Sequence, residues 1–464
     1  MKRRTLKFIE KGSGNRGAFL SRFTLKQKII GVLLLIFVLS SVVAYLLYVR
    51  TFGNAAQIVL TAHDSPGYEW EQIAADNNII SNYLWGRTKK LMLGHEGEDI
   101  LIPTYYKIAG RLKTQPAESS NVFDLSDQAW LLDCYVQAGD AVAARNLKNK
   151  IVSRFHSDSG IYFSFTGSGV TPEQKDIKTT EDNIAWLESY LRYYCAYGTS
   201  RDYEEIRNLI AALFDENGAL KPEQLAIARY VDTLYYSLDK PEDAEQNGKS
   251  SLDEAYGINN EGSQDTEEEE STNLKQVKGV KLSNVRLPLI SDLEKNGLIA
   301  PGAYERALKL VKDARDSEDV PFYAYAYEKN NKGGINYIYS GSRAGTVDVG
   351  ESVVVMANLA RMGELDSNSY NELKNLIVNE RRMFSRYYII TGNYGGAEAY
   401  KQYSYVLDIA YDMGDRDLYR AVCNCVGARV ATKSSSPAIY MIFRESDGRY
   451  TFFASDNLGV RKAV

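Results

Sequence analysis

Histidine, cysteine and proline are scarce in this chain of 464 residues, which holds 3 His, 4 Cys and 10 Pro. So few imidazoles and thiols argue against an enzyme built on several metal ions. No His-x-x-x-His pair, phosphate-loop Gly-x-x-x-x-Gly-Lys or dinucleotide glycine fingerprint is present, which removes the commonest metallopeptidase and nucleotide-binding chemistries. His63, His95 and His156 lie near turns or in the stalk, and Gly167-Ser168-Gly169 and Gly341-Ser342 lack a strand-to-helix elbow, so a Ser-His-Asp arrangement does not fit. Cys423-Asn424-Cys425 is neither a metal nor a redox spacing, and Cys134 and Cys195 fall on apolar helical faces. The four read as core thiols. A hydrophobic share of 44% and a charged share of 25% exclude disorder, collagen and disulfide scaffolds for the chain as a whole. No metal and no cofactor is expected.

Charge is absent from one stretch and skewed elsewhere. Residues 29–49 (IIGVLLLIFVLSSVVAYLLYV) carry none, and residues 1–28 before them hold nine Lys or Arg against the single acid Glu10. The remainder is acidic, with a net charge of about −13, which argues against a nucleic-acid surface. An uncharged run of this length matches the roughly 20 residues that cross a bilayer, and it exceeds the roughly 7–15 of a cleaved signal peptide. The basic flank predicts a type II anchor with the cytoplasmic tail at 1–28, the span at 29–49, a stalk at 50–67 and an extracytoplasmic domain at 68–464.

That domain repeats one phrase: an apolar-periodic helix, a Gly-centred turn bearing Asp or Glu, and a second helix. The pairs are Ser126–Ala138 with Ala141–Phe155, Thr180–Tyr197 with Asp202–Phe214, Leu287–Asn296 with Gly302–Ala314, Glu351–Met362 with Asn368–Phe384, and Ala397–Met413 with Leu418–Val430. Glycines 139, 198, 297, 363 and 414 at the turns suit the left-handed position after a helix. A pair near Tyr68–Leu93 and Pro103–Leu112 makes six, and there is room for one more on Glu223–Leu238. This recurrence predicts an all-α fold, an (α/α)6 barrel of helical hairpins. Ser159–Asp176 and Phe322–Tyr339 read as hairpins or extended loops at one barrel end, and the acidic segment at about 240–276 as a solvated, disordered loop.

What is abundant is tyrosine, 34 in all. Many fall beside acidic helix starts, at Ser126-Asp127, Thr180-Glu181-Asp182, Asp348 with Gly350-Glu351, and Ala397-Glu398. First helices of antiparallel hairpins point the same way, so their N-termini gather at one mouth. Acids there serve as caps in the ordinary case. Grouped with Trp130, Trp186, Tyr323, Tyr325, Tyr327, Tyr337, Tyr339, Tyr394 and Tyr400, they also suit glycoside hydrolysis, which needs two carboxyl groups across a sugar whose faces stack on aromatic rings.

The order of these motifs resembles glycoside hydrolase family 8, in its diverged membrane-anchored bacterial branch associated with exopolysaccharide. The similarity covers roughly Tyr105 to Glu364. Ser126-Asp127-Gln128-Ala129-Trp130 is similar to the family segment that supplies the general acid, with Asp where the family has Glu. Gly160-Ile161-Tyr162-Phe163 also matches, and Thr179-Thr180-Glu181-Asp182-Asn183-Ile184-Ala185 resembles the segment that contacts the reacting sugar. Leu282-Ser283-Asn284-Val285-Arg286-Leu287-Pro288 keeps the family's Arg-x-Pro but has Ser283 where its base stands. Gly350-Glu351-Ser352 is similar to a later helix start of the anchored branch that carries an acid.

The resemblance implies an inverting glycosidase acting on a cell-surface or secreted polysaccharide. Asp127 would be the acid and Glu351, or Asp348, the base. Glu181, Asp182 and Arg286 would hold the sugar, with Trp130, Trp186, Tyr323 and Tyr400 against it. Two other readings stay open. One is an inactive glycan-binding or scaffold subunit beside a membrane polysaccharide synthase; the other is a lyase using Tyr394 or Tyr400.

Overall fold

The computed structural model describes residues 30, 32–43, 57–61, 66–93, 100–109, 118–157, 160–166, 179–228, 274–315, 320–330, 333–341, 343, 345–446 and 449–464. The chain divides into two units, Met1–Ala56 with Thr199–Tyr203, and Gln57–Gly198 with Glu204–Val464. In the smaller unit, residues 32–43 form helix α1, whose apolar side chains are exposed. Among the described residues no helix is long and apolar enough to cross a membrane. The rest of the expected span (29, 31 and 44–49), the tail 1–28 and residues 50–56 and 62–65 of the stalk lie outside the described residues.

The larger unit is helical around a ring. Its inner helices are α4 (Leu125–Gln137), α6 (Thr180–Tyr197), α8 (Leu287–Lys295), α10 (Val349–Arg361), α12 (Tyr403–Asp412) and α14 (Ala454–Ala463). Helices α2 (Tyr68–Asp76), α3 (Ser81–Met92), α5 (Ala141–Arg154), α9 (Ala303–Lys312), α11 (Ser367–Glu380) and α13 (Arg416–Gly427) pack outside them, and α7 is Ser200–Leu213. Helix α4 lies on α6, and the 3-10 turn Leu282–Asn284 that opens α8 touches both α6 and α10. Helix α10 lies on α12, α12 on α14, and α14 on α4, which closes the circle.

Composition separates the two layers. Ten of the thirteen residues of α4, and ten of the thirteen of α10, are buried, so these helices are enclosed on all sides. Helix α13 buries one face only, through Leu418, Tyr419, Val422, Cys423, Cys425 and Val426, as an outer helix should. Outer helices begin on aspartate caps, Asp140 to Ala143 N at 3.1 Å and Asp366 to Ser369 N at 2.9 Å. The turns before the outer helices hold Gly139, Gly297, Gly363 and Gly414 at φ of 67–71°. Gly198 departs from that expectation, with φ −68°. It is glycine because a Cβ there would collide with Tyr194.

Closure depends on a helix the hairpin pattern did not include. The sixth inner helix is the C-terminal α14, partnered by α3, whereas Tyr105–Ala109 is a strand, not part of a helical pair. At the closing seam Lys462 of α14 and Arg192 of α6 approach the buried Asp133 carboxylate of α4, at 3.3 and 2.5 Å. Gly459 lies where any side chain would strike the Trp130 ring.

The all-α expectation also needs correction for four small antiparallel sheets among the described residues. One orders β12 (Arg444–Ser446), β13 (Arg449–Phe453), β1 (Tyr105–Ala109) and β2 (Glu118–Ser119); another pairs β3 (Val122–Phe123) with β4 (Phe165–Thr166). A third runs β5 (Glu223–Ala228), β6 (Leu274–Lys281), β7 (Ala326–Lys329) and β8 (Ile335–Ile338); the fourth runs β11 (Asn393–Glu398), β10 (Phe384–Tyr388) and β9 (Thr346–Asp348). The expected helix on Glu223–Leu238 is therefore a strand over its described part. Leu225 and Ile227 alternate inward against Val277, a two-residue period. The expected acidic loop lies outside the described residues up to 273, and Leu274–Gln276 already belong to β6. Of the two expected hairpin stretches, Phe322–Tyr339 contains the β7–β8 hairpin, while residues 167–176 lie outside the described part. Cys195 is exposed, unlike the other three cysteines, so only those three are core thiols.

One device recurs where chain segments cross the inner helices. The fourth residue of α4, α6 and α14 is a buried amide, Gln128, Asn183 or Asn457. Gln128 accepts from Ile102 N (3.0 Å) and donates to Ile102 O (2.7 Å). Asn183 does the same with Tyr162 (2.8 and 2.9 Å), and Asn457 with Ile442 (2.9 and 3.1 Å). In α10 the fourth residue is Ser352, whose Oγ accepts from Tyr323 N at 2.9 Å. Each amide satisfies two backbone groups that burial would otherwise strand. Asn457→Leu should therefore destabilise the fold, since each orphaned buried group costs about 1–3 kcal/mol. Urea unfolding should show that loss in Asn457→Leu and only a fraction of it in Asn457→Gln.

Candidate active site

The residue before each of these anchors, the third of its helix, is acidic: Asp127, Asp182, Glu351 and Asp456. Anchoring the fourth side chain to the crossing segment fixes the third on a different face, about 100° around the helix. Asp127 is 3% exposed, and its Oδ2 has no hydrogen-bond partner. Burial pushes its carboxyl well above the ordinary range; the charges of Asp124, Asp182 and Asp456 add to the rise and Lys401 opposes it.

Beside it runs a chain of alternating charges. Lys281 Nζ lies 3.1 Å from Glu351 Oε1 and 3.4 Å from Glu181 Oε2, and Lys401 Nζ lies 3.1 Å from Glu181 Oε1. Ser283 Oγ donates to Glu351 Oε2. Asp348 caps α10 by accepting from Glu351 N at 3.0 Å. Lys401 holds the Glu181 carboxyl down at about 2; burial opposes this, and Lys281 and Arg286 reinforce it. Asp348 moves the other way, up to about 6, through burial and the neighbouring Glu351. The side chains of Glu181, Glu351, Lys281 and Lys401 keep 20–32% of their surface, so this cluster meets solvent while Asp127 does not. Arg286 is buried under Tyr405, its guanidinium 5.6 Å from the ring centre and Nη2 3.5 Å from the hydroxyl.

Asp127, Glu181, Asp182, Arg286, Asp348 and Glu351 thus fall within one electrostatic cluster. The aromatic residues expected against a sugar do not present open faces. Trp186 is wholly buried between Tyr162 and Tyr190, because it follows Asn183 by three positions and shares the anchored face of α6. Trp130 does lie near Lys401 (5.3 Å) and Tyr405 (6.3 Å), but it is 6% exposed and packed on Gly459. Tyr323 is buried, its hydroxyl donating to Asp366 at 2.7 Å. Tyr400 is partly buried between Arg429 and Arg444. Glu398, expected at a helix start, lies in β11 and pairs with Arg429 at 2.6 Å.

Lys281, Lys401, Tyr405 and Asp456 were absent from the sequence-based set. Asp456 had a signal: Ser455-Asp456-Asn457 repeats Ser126-Asp127-Gln128. The two lysines had none beyond proximity to Ser283 and α12.

No family model matches the chain, and neither does any curated relative. Solved structures do. An alpha-amylase from Clostridium perfringens is 15% identical, covers 83% of this chain and 97% of its own, and gives a TM-score of 0.57. The chain shares its fold with that amylase. PssZ from Listeria monocytogenes (10% identity, 82% and 93% coverage, TM-score 0.48) is also similar. So is an endoglucanase of glycosyl hydrolase family 8 from Klebsiella pneumoniae (9% identity, 75% and 97% coverage, TM-score 0.43).

The Glu181 ion pairs make a pH-dependent contribution to stability. Its folded value lies below the free one near 4.5, so this stabilisation is complete above about 4.5 and is lost as pH falls toward about 2. Glu181→Gln should lower the unfolding free energy at pH 7, and the gap to wild type should shrink as denaturation is repeated at successively lower pH.

Proposed function

We propose that the protein is a membrane-anchored, extracytoplasmic glycoside hydrolase that cleaves a cell-surface or secreted polysaccharide with inversion. The uncharged run at 29–49 behind a basic tail supports the type II orientation. The observation that carries the enzymatic reading is the contrast between two carboxyl environments. Asp127 is buried, unpaired and biased toward its acid form, whereas Glu351 is solvent-accessible and faces an ammonium. Divergent environments of this kind assign an acid and a base.

In the proposed reaction a water oxygen bonds to the anomeric carbon while the glycosidic C–O bond breaks. Asp127 gives its proton to the leaving oxygen, and Glu351 takes one from the attacking water. Both groups are returned to their starting state by net proton exchange with solvent. Inversion needs room for that water, a carboxyl separation of about 6.5–9.5 Å. Glu181, Asp182 and Arg286 would hold sugar hydroxyls, and Asp348 would support Glu351 as its cap.

A second reading, a glycan-binding or scaffold subunit beside a membrane polysaccharide synthase, is favoured by one observation. Lys281 and Lys401 already neutralise Glu181 and Glu351, so a bound chain would meet ion pairs rather than free carboxylates.

Oligosaccharide release from the producer's own exopolysaccharide separates the two. Asp127→Asn and Glu351→Gln should each reduce the rate by about 10²–10⁴-fold while the polysaccharide is still bound. Activity should fall as pH rises through the elevated Asp127 value, and that limb should lie above where a free aspartate titrates. Binding without turnover in the wild type would establish the second reading.

A further inference from the structure

Ser283 stands where the resembled family places a carboxylate, yet its hydroxyl still ends on one. Lys281, the last residue of β6, and Leu282 and Ser283 of the 3-10 turn after it arrange this. Leu282 is fully buried, its N–H donating to Tyr325 O at 2.9 Å, and it fixes the strand end against β7. Lys281 and Ser283, on either side of it, both reach Glu351 from α10: Lys281 Nζ to Oε1 at 3.1 Å, and Ser283 Oγ to Oε2. The Glu351 backbone is fixed separately, through its N–H to the Asp348 carboxylate at 3.0 Å. Both carboxylate oxygens therefore have one donor each, and each keeps a lone pair for a further contact. Lys281 itself is constrained, with Glu181 at 3.4 Å and the Tyr325 ring 5.6 Å from its ammonium.

We propose that Lys281 and Ser283 act as a two-point clamp that positions the Glu351 carboxylate, so that a base carried by α10 is aimed from the strand end that lacks one. The clamp rests on the reading of Glu351 as the base, but its geometry does not need turnover. Two donors on two oxygens fix the carboxylate plane as well as its location, which a single ion pair would leave free to rotate. Lys281 is a positioning residue in this account; it makes no contact with the reacting bonds. Its second partner, Glu181, keeps the ammonium from following the substrate.

The test combines crystal structures and kinetics of full-length Lys281→Met, Lys281→Arg and Ser283→Ala. In Lys281→Met the Glu351 carboxylate should swing away from its wild-type plane. On the hydrolysed polysaccharide kcat should fall about 100-fold, the scale of a misplaced catalytic group, with KM within twofold. Lys281→Arg should recover most of the loss, and Ser283→Ala should show a smaller drop in kcat alone. An unmoved Glu351 in Lys281→Met would overturn the clamp, as would equal losses in the Met and Arg variants or a loss confined to KM. Should the wild type turn over no glycan, the hydrolase reading fails, and the position of Glu351 in Lys281→Met still upholds or overturns the clamp.

Discussion

The hydrogen bonds that Gln128, Asn183 and Asn457 make to the backbone of Ile102, Tyr162 and Ile442 decide where the rest of the mouth can go. Each spends one buried amide on both polar groups of a single crossing residue, leaving no donor or acceptor stranded in a region without water. Because the amide is fourth in its helix, the third residue is committed to a different direction, and that third residue is acidic. Ser352 and Glu351 show the same arrangement with a hydroxyl in place of the amide. Carboxylates from separate stretches of the chain are brought together by this repeated local rule, and the ring of inner helices then gathers them at one end.

Such a concentration of acids is unstable unless it is neutralised or protonated. The structure uses both solutions. Lys281 and Lys401 neutralise Glu181 and Glu351, and burial favours the proton on Asp127, which has no cation in contact. Depth alone does not decide which solution applies, because Asp456 is as enclosed as Asp127 and is paired with Arg444 at 2.7 Å.

Much of this was legible in the sequence. Apolar helices enclosed on all sides, Gly-centred turns and aspartate caps gave the helical hairpins, and Gly139, Gly297, Gly363 and Gly414 have the left-handed backbone that their positions implied. Asp127, Glu181 and Glu351 were identifiable because acids at the starts of first helices face a common end, and Arg286 only through the Arg-x-Pro segment that resembles the family's. The closing helix was missed because α14 has a mean hydropathy lower than its burial would suggest, with Asp456, Asn457, Arg461 and Lys462 in ten residues. Its Ser-Asp-Asn opening was the better guide than apolar periodicity. Trp186 was misread for a related reason: helical spacing places it on the anchored face, and composition alone does not distinguish that face from the mouth. Lys281 could not be found at all from local pattern, since its partners, Glu181 and Glu351, lie 100 and 70 residues away.

The central claim is that Asp127 and Glu351 stand on opposite sides of one glycosidic bond. A crystal structure of Asp127→Asn soaked with oligosaccharides from the producer's exopolysaccharide tests it most directly. The account predicts a sugar chain across the mouth, with its glycosidic oxygen within hydrogen-bond distance of residue 127 and a water between the anomeric carbon and Glu351. A chain bound elsewhere on the domain, or one crossing the mouth with no water between its anomeric carbon and Glu351, would contradict it.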